Sequence, residues 1–90
     1  MTEVVWSRKA LRQIRNIERY VSLFRPLAAQ RLAARIIAAS DELSVFPDAG
    51  RTISRGRRQI VAVSPYILRY RRDGEVVTIL EVRHAATILA

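Results

Sequence analysis

The chain has 90 residues, with sixteen Lys and Arg against eight Asp and Glu, and therefore a formal charge of +8. It contains no cysteine, which excludes disulfides and thiolate metal sites, and no apolar run approaches the ~20 residues that a membrane helix needs. This composition predicts one small basic domain that binds something acidic: nucleic acid, an anionic surface or an acidic protein. Because the N-terminus shows no signal-peptide pattern, we expect a cytoplasmic protein.

The first half of the chain predicts a strand followed by two helices. Residues 3–6 form a short β-rich run, and Ser7 is a favourable N-cap for the helix after it. Arg25-Pro26 ends this helix, because the residue before a proline is pushed out of the α region, and Pro26 fits the first turn of a second helix. The short break predicts an antiparallel helical hairpin. Apolar residues recur at steps of three and four in both helices: Ala10, Ile14, Ile17, Val21 and Phe24, then Ala29, Leu32, Ile36, Ala39, Leu43 and Phe46.

The second half predicts a polar loop and three consecutive antiparallel strands. The sequence PDAG at 47–50 ends the second helix, and residues 51–58, with four arginines, form the loop. The strands cover residues 59–63, 66–72 and 75–82, separated by the turn signals Ser64-Pro65 and Asp73-Gly74. Asp-Gly between β-rich runs predicts a type I′ hairpin, in which Arg72 pairs with Glu75.

Strict alternation then decides which side chains share a face of the sheet. Tyr66, Leu68 and Tyr70 lie on one face with Val77, Ile79 and Glu81, and this mostly apolar face should meet the rest of the fold. The other face carries Ile67, Arg69 and Arg71 and ends in His84, the only histidine of the chain. We expect Ile67 and His84 to lie together on this open face, where any active site should be sought.

The predicted order is β-α-α-β-β-β, an α+β fold of two layers in which a helical hairpin packs on one face of a mostly antiparallel sheet. We expect residues 1–84 to form this single domain and residues 85–90 to be a short apolar C-terminal tail.

Several pieces of the sequence, in order and spacing, resemble toxins of the RelE/ParE superfamily, the toxic halves of type II toxin–antitoxin pairs. The pieces are VVWSRKALRQIRNIERY, LSVFPDAGR, GRRQIVAV, PYILRYRRDGEVVTILEV and Arg83-His84, and they cover residues 3 to 84. The chain is most similar to the ParE branch, which has FP-x-x-GR after the second helix and a Y-(I/L)-x-x-YR-x-x-G hairpin. The resemblance implies a toxin that inhibits DNA gyrase, as in plasmid stabilisation, and that a ParD-like antitoxin neutralises.

The positive charge and the helical hairpin together suggest where an acidic antitoxin would bind. We expect an antitoxin helix in the groove of the hairpin, with its acidic side chains facing arginines and its apolar side chains facing the helix junction. The expected contacts are Arg12, Arg15, Arg19, Leu23, Phe24, Leu27, Arg31 and Arg35.

The alternative is the RelE branch, whose members cut mRNA on the ribosome without a metal. Such a reaction needs acid–base and cationic side chains that converge on the scissile phosphate. The candidates are Arg57, Arg58, Arg69 and His84. In the nuclease branch an arginine usually follows the aromatic residue of the hairpin strand, whereas this chain has Ile67 there. We therefore predict negligible ribonuclease activity.

The sequence lacks the residue patterns of a metal site and of a phosphate-binding loop. One histidine, no cysteine and scattered carboxylates do not predict a metal site, and three isolated glycines form no phosphate-binding loop. We therefore expect neither a metal nor a cofactor.

Overall fold

The computed structural model describes residues 2–89, and it confirms the two-layer α+β architecture. Strand β1 (Glu3–Trp6) precedes helices α1 (Arg8–Ser22) and α2 (Pro26–Asp41), and a 3-10 turn follows at Glu42–Ser44. Strands β2 (Arg51–Ser54), β3 (Arg57–Val63), β4 (Tyr66–Asp73) and β5 (Val76–His84) come next, and helix α3 (Ala85–Leu89) closes the described chain. Within residues 2–89, no helix is both long and apolar enough to cross a bilayer.

The five strands form one sheet in the order β1-β5-β4-β3-β2. β1 runs parallel to β5, and every other neighbouring pair is antiparallel. Both long helices pack on one face of this sheet, so its other face, here called the open face, is not covered by either. The core lies between the two layers, and its buried side chains are Ala10, Ile14, Ile36, Leu43, Leu68, Tyr70, Val77, Ile79 and Val82.

A capping serine and a first-turn proline set the starts of the two helices of the hairpin. The Ser7 hydroxyl accepts a hydrogen bond from the backbone N–H of Ala10 at 3.0 Å, which caps α1. Pro26 occupies the first turn of α2, where its missing N–H leaves no hydrogen bond unmade. The apolar stripe of α2 ends earlier than predicted, because the α-helix stops at Asp41, and Phe46 is 65% exposed beyond it.

The segment 51–58, predicted as a polar loop, instead contains β2 and the first residues of β3. Arg51 pairs with Gln59 and Thr52 with Arg58, and Ser54 pairs with Arg57 across a tight turn. β2 is an edge strand that buries little, so it needs no apolar alternation, and its sequence therefore resembles a loop.

The hairpin between β4 and β5 has a different register from the predicted one. Asp73 pairs with Val76, so Gly74 and Glu75 are the central residues of the turn. Gly74 has a φ of 59°, and no non-glycine residue of the described chain has a positive φ. A positive φ at the first central residue alone is a feature of a II′ turn, not of the predicted type I′ turn.

A β-bulge in β5 overturns the predicted placement of His84. Tyr70 pairs with Ile79 but Arg69 pairs with Glu81, so Leu80 is the extra residue. Beyond a bulge the alternation of side chains is reversed relative to the partner strand. His84 therefore pairs with Tyr66 on the face that the helices cover, whereas Ile67 lies on the open face opposite Arg83. The same bulge moves Glu81 out of the core, where alternation had placed it, and Val82 into the core at 3% exposure.

A buried tyrosine explains the FP-x-x-G motif after the second helix. The hydroxyl of Tyr70 donates to the carbonyl of Pro47 at 2.8 Å and accepts from the backbone N–H of Gly50 at 2.9 Å. A Cβ on Gly50 would lie 2.8 Å from the Tyr70 ring and from the carbonyl oxygen of Gln59. Glycine is therefore required for this close approach, which fixes the loop to the centre of the sheet.

The C-terminal segment, predicted as an apolar tail, continues β5 as the short helix α3. Its first N–H, on Ala85, donates to the carbonyl of Pro65 at 2.8 Å. The Thr87 hydroxyl donates to the carbonyl of His84 at 2.7 Å, and the His84 ring accepts from the N–H of Ala86 at 3.1 Å. These contacts fix α3 against the end of β5; Ala90 lies outside the described residues.

Candidate interaction surfaces

Three apolar side chains are exposed at the tip of the helical hairpin. Leu23 is 73% exposed, Phe24 is 70% exposed and Leu27 is 65% exposed. They lie at the junction of α1 and α2, where the chain reverses and no element is close enough to cover them. Tyr20 extends this hairpin-tip patch, its ring in an edge-on contact with Phe24 at a centroid distance of 5.6 Å. A contiguous apolar patch of this kind is typical of an interaction site.

Exposed arginines lie on the same helical layer as the hairpin-tip patch. They are the predicted contacts Arg12, Arg15, Arg19, Arg31 and Arg35. Within residues 2–89, none of these five forms an ion pair. Arg15 and Arg19 line a groove together with Pro26 and Gln30 of α2. The predicted antitoxin contacts therefore all lie on the helical layer. The apolar ones are at the tip of the hairpin, and the arginines, which form no ion pair within residues 2–89, lie along the helices.

The open face of the sheet carries a second group of arginines. Cross-strand pairing places Arg57 beside Arg71, Gln59 beside Arg69, and Ile67 beside Arg83. Arg51 pairs with Gln59 and so belongs to the same face. The open-face arginines are Arg51, Arg57, Arg69, Arg71 and Arg83.

The bulge also brings one carboxylate onto the open face. Glu81 accepts a hydrogen bond from the Nζ of Lys9 at 2.8 Å, and its carboxylate oxygens lie 3.6 Å from Arg69 and 3.8 Å from Arg83. The hydrogen bond from Lys9, followed by the charges of Lys9, Arg83 and Arg69, lowers the pKa of Glu81, although burial acts in the opposite direction. Glu81 is thus held as a carboxylate at the centre of a cationic cluster.

The four candidate nuclease residues do not converge. Arg57 and Arg69 lie on the open face, but Arg58 pairs with Tyr70 on the other face. There its guanidinium donates to the carbonyls of Gly50 at 2.8 Å and of Asp48 at 3.3 Å, which is a structural role. His84 is also on the helix-covered side, with its ring edge-on to Tyr66 at a centroid distance of 5.4 Å.

Sequence reasoning placed Arg69 and Arg71 on the open face but missed Arg51, Arg83 and Glu81 as their neighbours. Strict alternation placed Glu81 in the core. Because charged residues are rarely buried, this placement indicates an error in the predicted register. The spacing Val77, Ile79, Val82 steps by two and then by three, which indicates an extra residue in the strand. That signal is present in the sequence and predicts the bulge.

Residues 4–89 match the model of a family described as ParE toxin of type II toxin-antitoxin system, parDE. The chain belongs to the ParE family of type II toxins. This match covers almost the whole chain and agrees with the resemblance of its motifs.

Two relatives of this ParE-type protein are themselves named as toxins. It is 41% identical over 88 residues to a protein named toxin RelE2 from Caulobacter vibrioides, covering 98% of this chain and all of the relative. It is 39% identical over 79 residues to putative toxin Y4kP from Sinorhizobium fredii, covering 83% of this chain and 82% of that one.

A solved structure has the same fold. It is described as the chromosomal ParDE TA system from P. aeruginosa, and it superimposes with a TM-score of 0.82 at 22% identity. The match covers 93% of this toxin and 96% of that chain.

Proposed function

We propose that this toxin acts in the cytoplasm by inhibiting DNA gyrase and that an acidic, ParD-like antitoxin neutralises it. The observation that carries the proposal is the match of residues 4–89 to the ParE family, whose description names the parDE pair. The structural neighbour, described as a ParDE system, supports a partner of the same kind. The net charge of +8 supports an acidic partner over a second copy of this chain, because two such copies repel each other.

The antitoxin would cover the hairpin-tip patch and the groove beside it. An amphipathic helix inserts apolar side chains into such a groove at a spacing of three and four residues, and Leu23, Phe24 and Leu27 offer the apolar counterpart. Acidic side chains of the helix would meet Arg12, Arg15, Arg19, Arg31 and Arg35, which mainly accelerates association.

A pair of matched variants tests this surface. Phe24→Asp should weaken binding of the antitoxin by about 30-fold or more, the effect of losing a central apolar contact. Phe46→Asp changes an aromatic residue of similar exposure, 65% against 70%, beyond the other end of α2 and should bind normally. Affinity is measured by calorimetry with the antitoxin encoded beside the toxin gene. Equal affinity of both variants would place the antitoxin elsewhere, and the absence of any stoichiometric small partner in a pull-down would contradict the proposal.

The second candidate function is ribosome-dependent mRNA cleavage, which the 41% identity to a protein named toxin RelE2 favours. The bulge also supports this candidate. It places Arg83 opposite Ile67, and Arg83 supplies a positive charge at the position where the hairpin strand has isoleucine instead of arginine. A general acid or base is still required, and its pKa should lie near the working pH. Glu81 is held ionised by Lys9, and the His84 ring packs edge-on against Tyr66, although both residues border one surface cavity with Lys9 and Arg83. We therefore rank gyrase inhibition first.

Supercoiling of relaxed plasmid by purified gyrase is the test of the leading target, with inhibition by the toxin expected. Ribosome-dependent mRNA cleavage by the same preparation, lost in His84→Ala by a hundredfold or more, would instead establish the second candidate.

A further inference from the structure

We propose that the open face of the sheet binds the phosphate backbone of duplex DNA without sequence preference. This activity goes beyond the proposed inhibition of gyrase and does not depend on it.

Five arginines concentrate positive charge on this face: Arg51, Arg57, Arg69, Arg71 and Arg83. Of its carboxylates, Asp73 is engaged with Arg71 at 2.9 Å and Glu81 with Lys9 at 2.8 Å. Glu3 is also on this face, on β1, at the opposite edge of the sheet from Arg51. Arg51 and Arg57 form no ion pair within residues 2–89, so their guanidinium groups are available to an external anion. A guanidinium fork binds phosphate oxygens in pairs, which makes arginine well suited to a phosphodiester backbone.

The spacing of these arginines matches the width of a DNA groove. Neighbouring strands lie about 4.8 Å apart, so the four strands from β2 to β5 span about 14 Å. The grooves of B-DNA are about 6 Å and about 12 Å wide. Side chains distributed over β2, β3, β4 and β5 therefore reach phosphates on both sides of a groove.

The absence of aromatic side chains from the described part of the open face favours a duplex over a single strand. Proteins that hold single-stranded nucleic acid stack its bases on exposed aromatic rings. Trp6, Tyr66 and Tyr70 all belong to the core side of the sheet, and the Trp6 indole donates to Ser40 of α2. The open face has no aromatic side chain among its described residues. Contact with it is therefore limited to backbone phosphates, which a duplex presents in two regular rows.

The test is fluorescence anisotropy of the purified wild-type toxin with a labelled duplex of about 20 base pairs, repeated over a range of salt concentrations. Binding should weaken as salt rises, with a log–log slope of about −0.9 per phosphate contacted. The double variant Arg51→Gln, Arg57→Gln should reduce that slope by about 1.8 units. Both side chains are exposed, so the fold should be retained, and circular dichroism checks it.

A matched control separates this face from net charge alone. The double variant Arg8→Gln, Arg25→Gln removes the same charge from exposed positions on the helical layer and should leave the slope unchanged. The inference is overturned if both double variants weaken binding equally, or if the toxin does not bind duplex at 50 mM salt. Tighter binding to a single-stranded oligonucleotide of equal length, DNA or RNA, would also overturn it. Gyrase is absent from the assay, so these outcomes leave the proposed target untouched.

Discussion

Removing one hydroxyl group, in Tyr70→Phe, tests how the FP-x-x-G loop is held on the sheet. The Tyr70 side chain is fully buried, and its oxygen makes two hydrogen bonds, to Pro47 and Gly50. Gly50 is buried, so its N–H cannot turn to water, and leaving it unpaired costs about 1–3 kcal/mol. Pro47 is partly exposed, so its carbonyl regains water and loses only the net value of a hydrogen bond, about 1 kcal/mol. The expected loss in free energy of unfolding is therefore about 2–4 kcal/mol.

Urea unfolding followed by circular dichroism measures this loss. With an m-value of about 1–3 kcal/mol per molar, a change of this size moves the midpoint by about 1 M or more. The matched control is Tyr20→Phe, because Tyr20 is largely exposed at the hairpin tip and no hydrogen bond of its hydroxyl is present within residues 2–89. A change of less than about 0.5 kcal/mol in Tyr70→Phe, the range of neutral surface substitutions, would show that these two hydrogen bonds do not stabilise the loop.

Two further predictions concern the same loop and the bulge. Gly50→Ala should destabilise the toxin by about 1–3 kcal/mol, because the new Cβ would lie 2.8 Å from Tyr70 and from a backbone oxygen. Urea unfolding measures this loss, and unchanged stability would contradict the prediction. The lowered pKa of Glu81 adds stability that is complete above its unfolded pKa of about 4.5 and is lost as pH falls through the folded pKa. Wild type should therefore lose more stability than Glu81→Gln between pH 6 and pH 3. Urea unfolding midpoints measured at both pH values test this. Equal losses would mean that the contact with Lys9 does not stabilise the ionised carboxylate.

The sequence predicts the architecture well because its strongest signals are local. Ser7 and Pro26 bound the helices, and the alternation of Leu68 and Tyr70 identifies the buried face of β4; the structure confirms both. The apolar stripe of α1 likewise has Ala10 and Ile14 buried against the sheet.

Most of the errors have one physical origin, which is that local patterns do not fix how strands pair. The early end of α2 and the folding of the C-terminal segment as α3 are separate differences. β2 is an edge strand stabilised mainly by hydrogen bonds to β3, so its composition is that of a loop. The bulge at Leu80 is one extra residue, yet it moves Glu81, Arg83 and His84 to opposite faces from those predicted. The predicted nuclease residues separate for the same reason. Arg51, Arg57 and Arg83 join the predicted pair Arg69 and Arg71 on the open face only once the true register is known.

Inhibition of DNA gyrase is the proposed activity of this toxin, and a supercoiling assay with and without the antitoxin tests it. Purified gyrase is given relaxed plasmid and ATP, with increasing toxin alone or with toxin premixed with the antitoxin encoded beside it. Supercoiling should fall with toxin concentration and recover when the antitoxin is present in equal amount. Supercoiling that is unchanged at a toxin concentration sufficient to arrest ribosome-dependent translation in a parallel extract would contradict the claim.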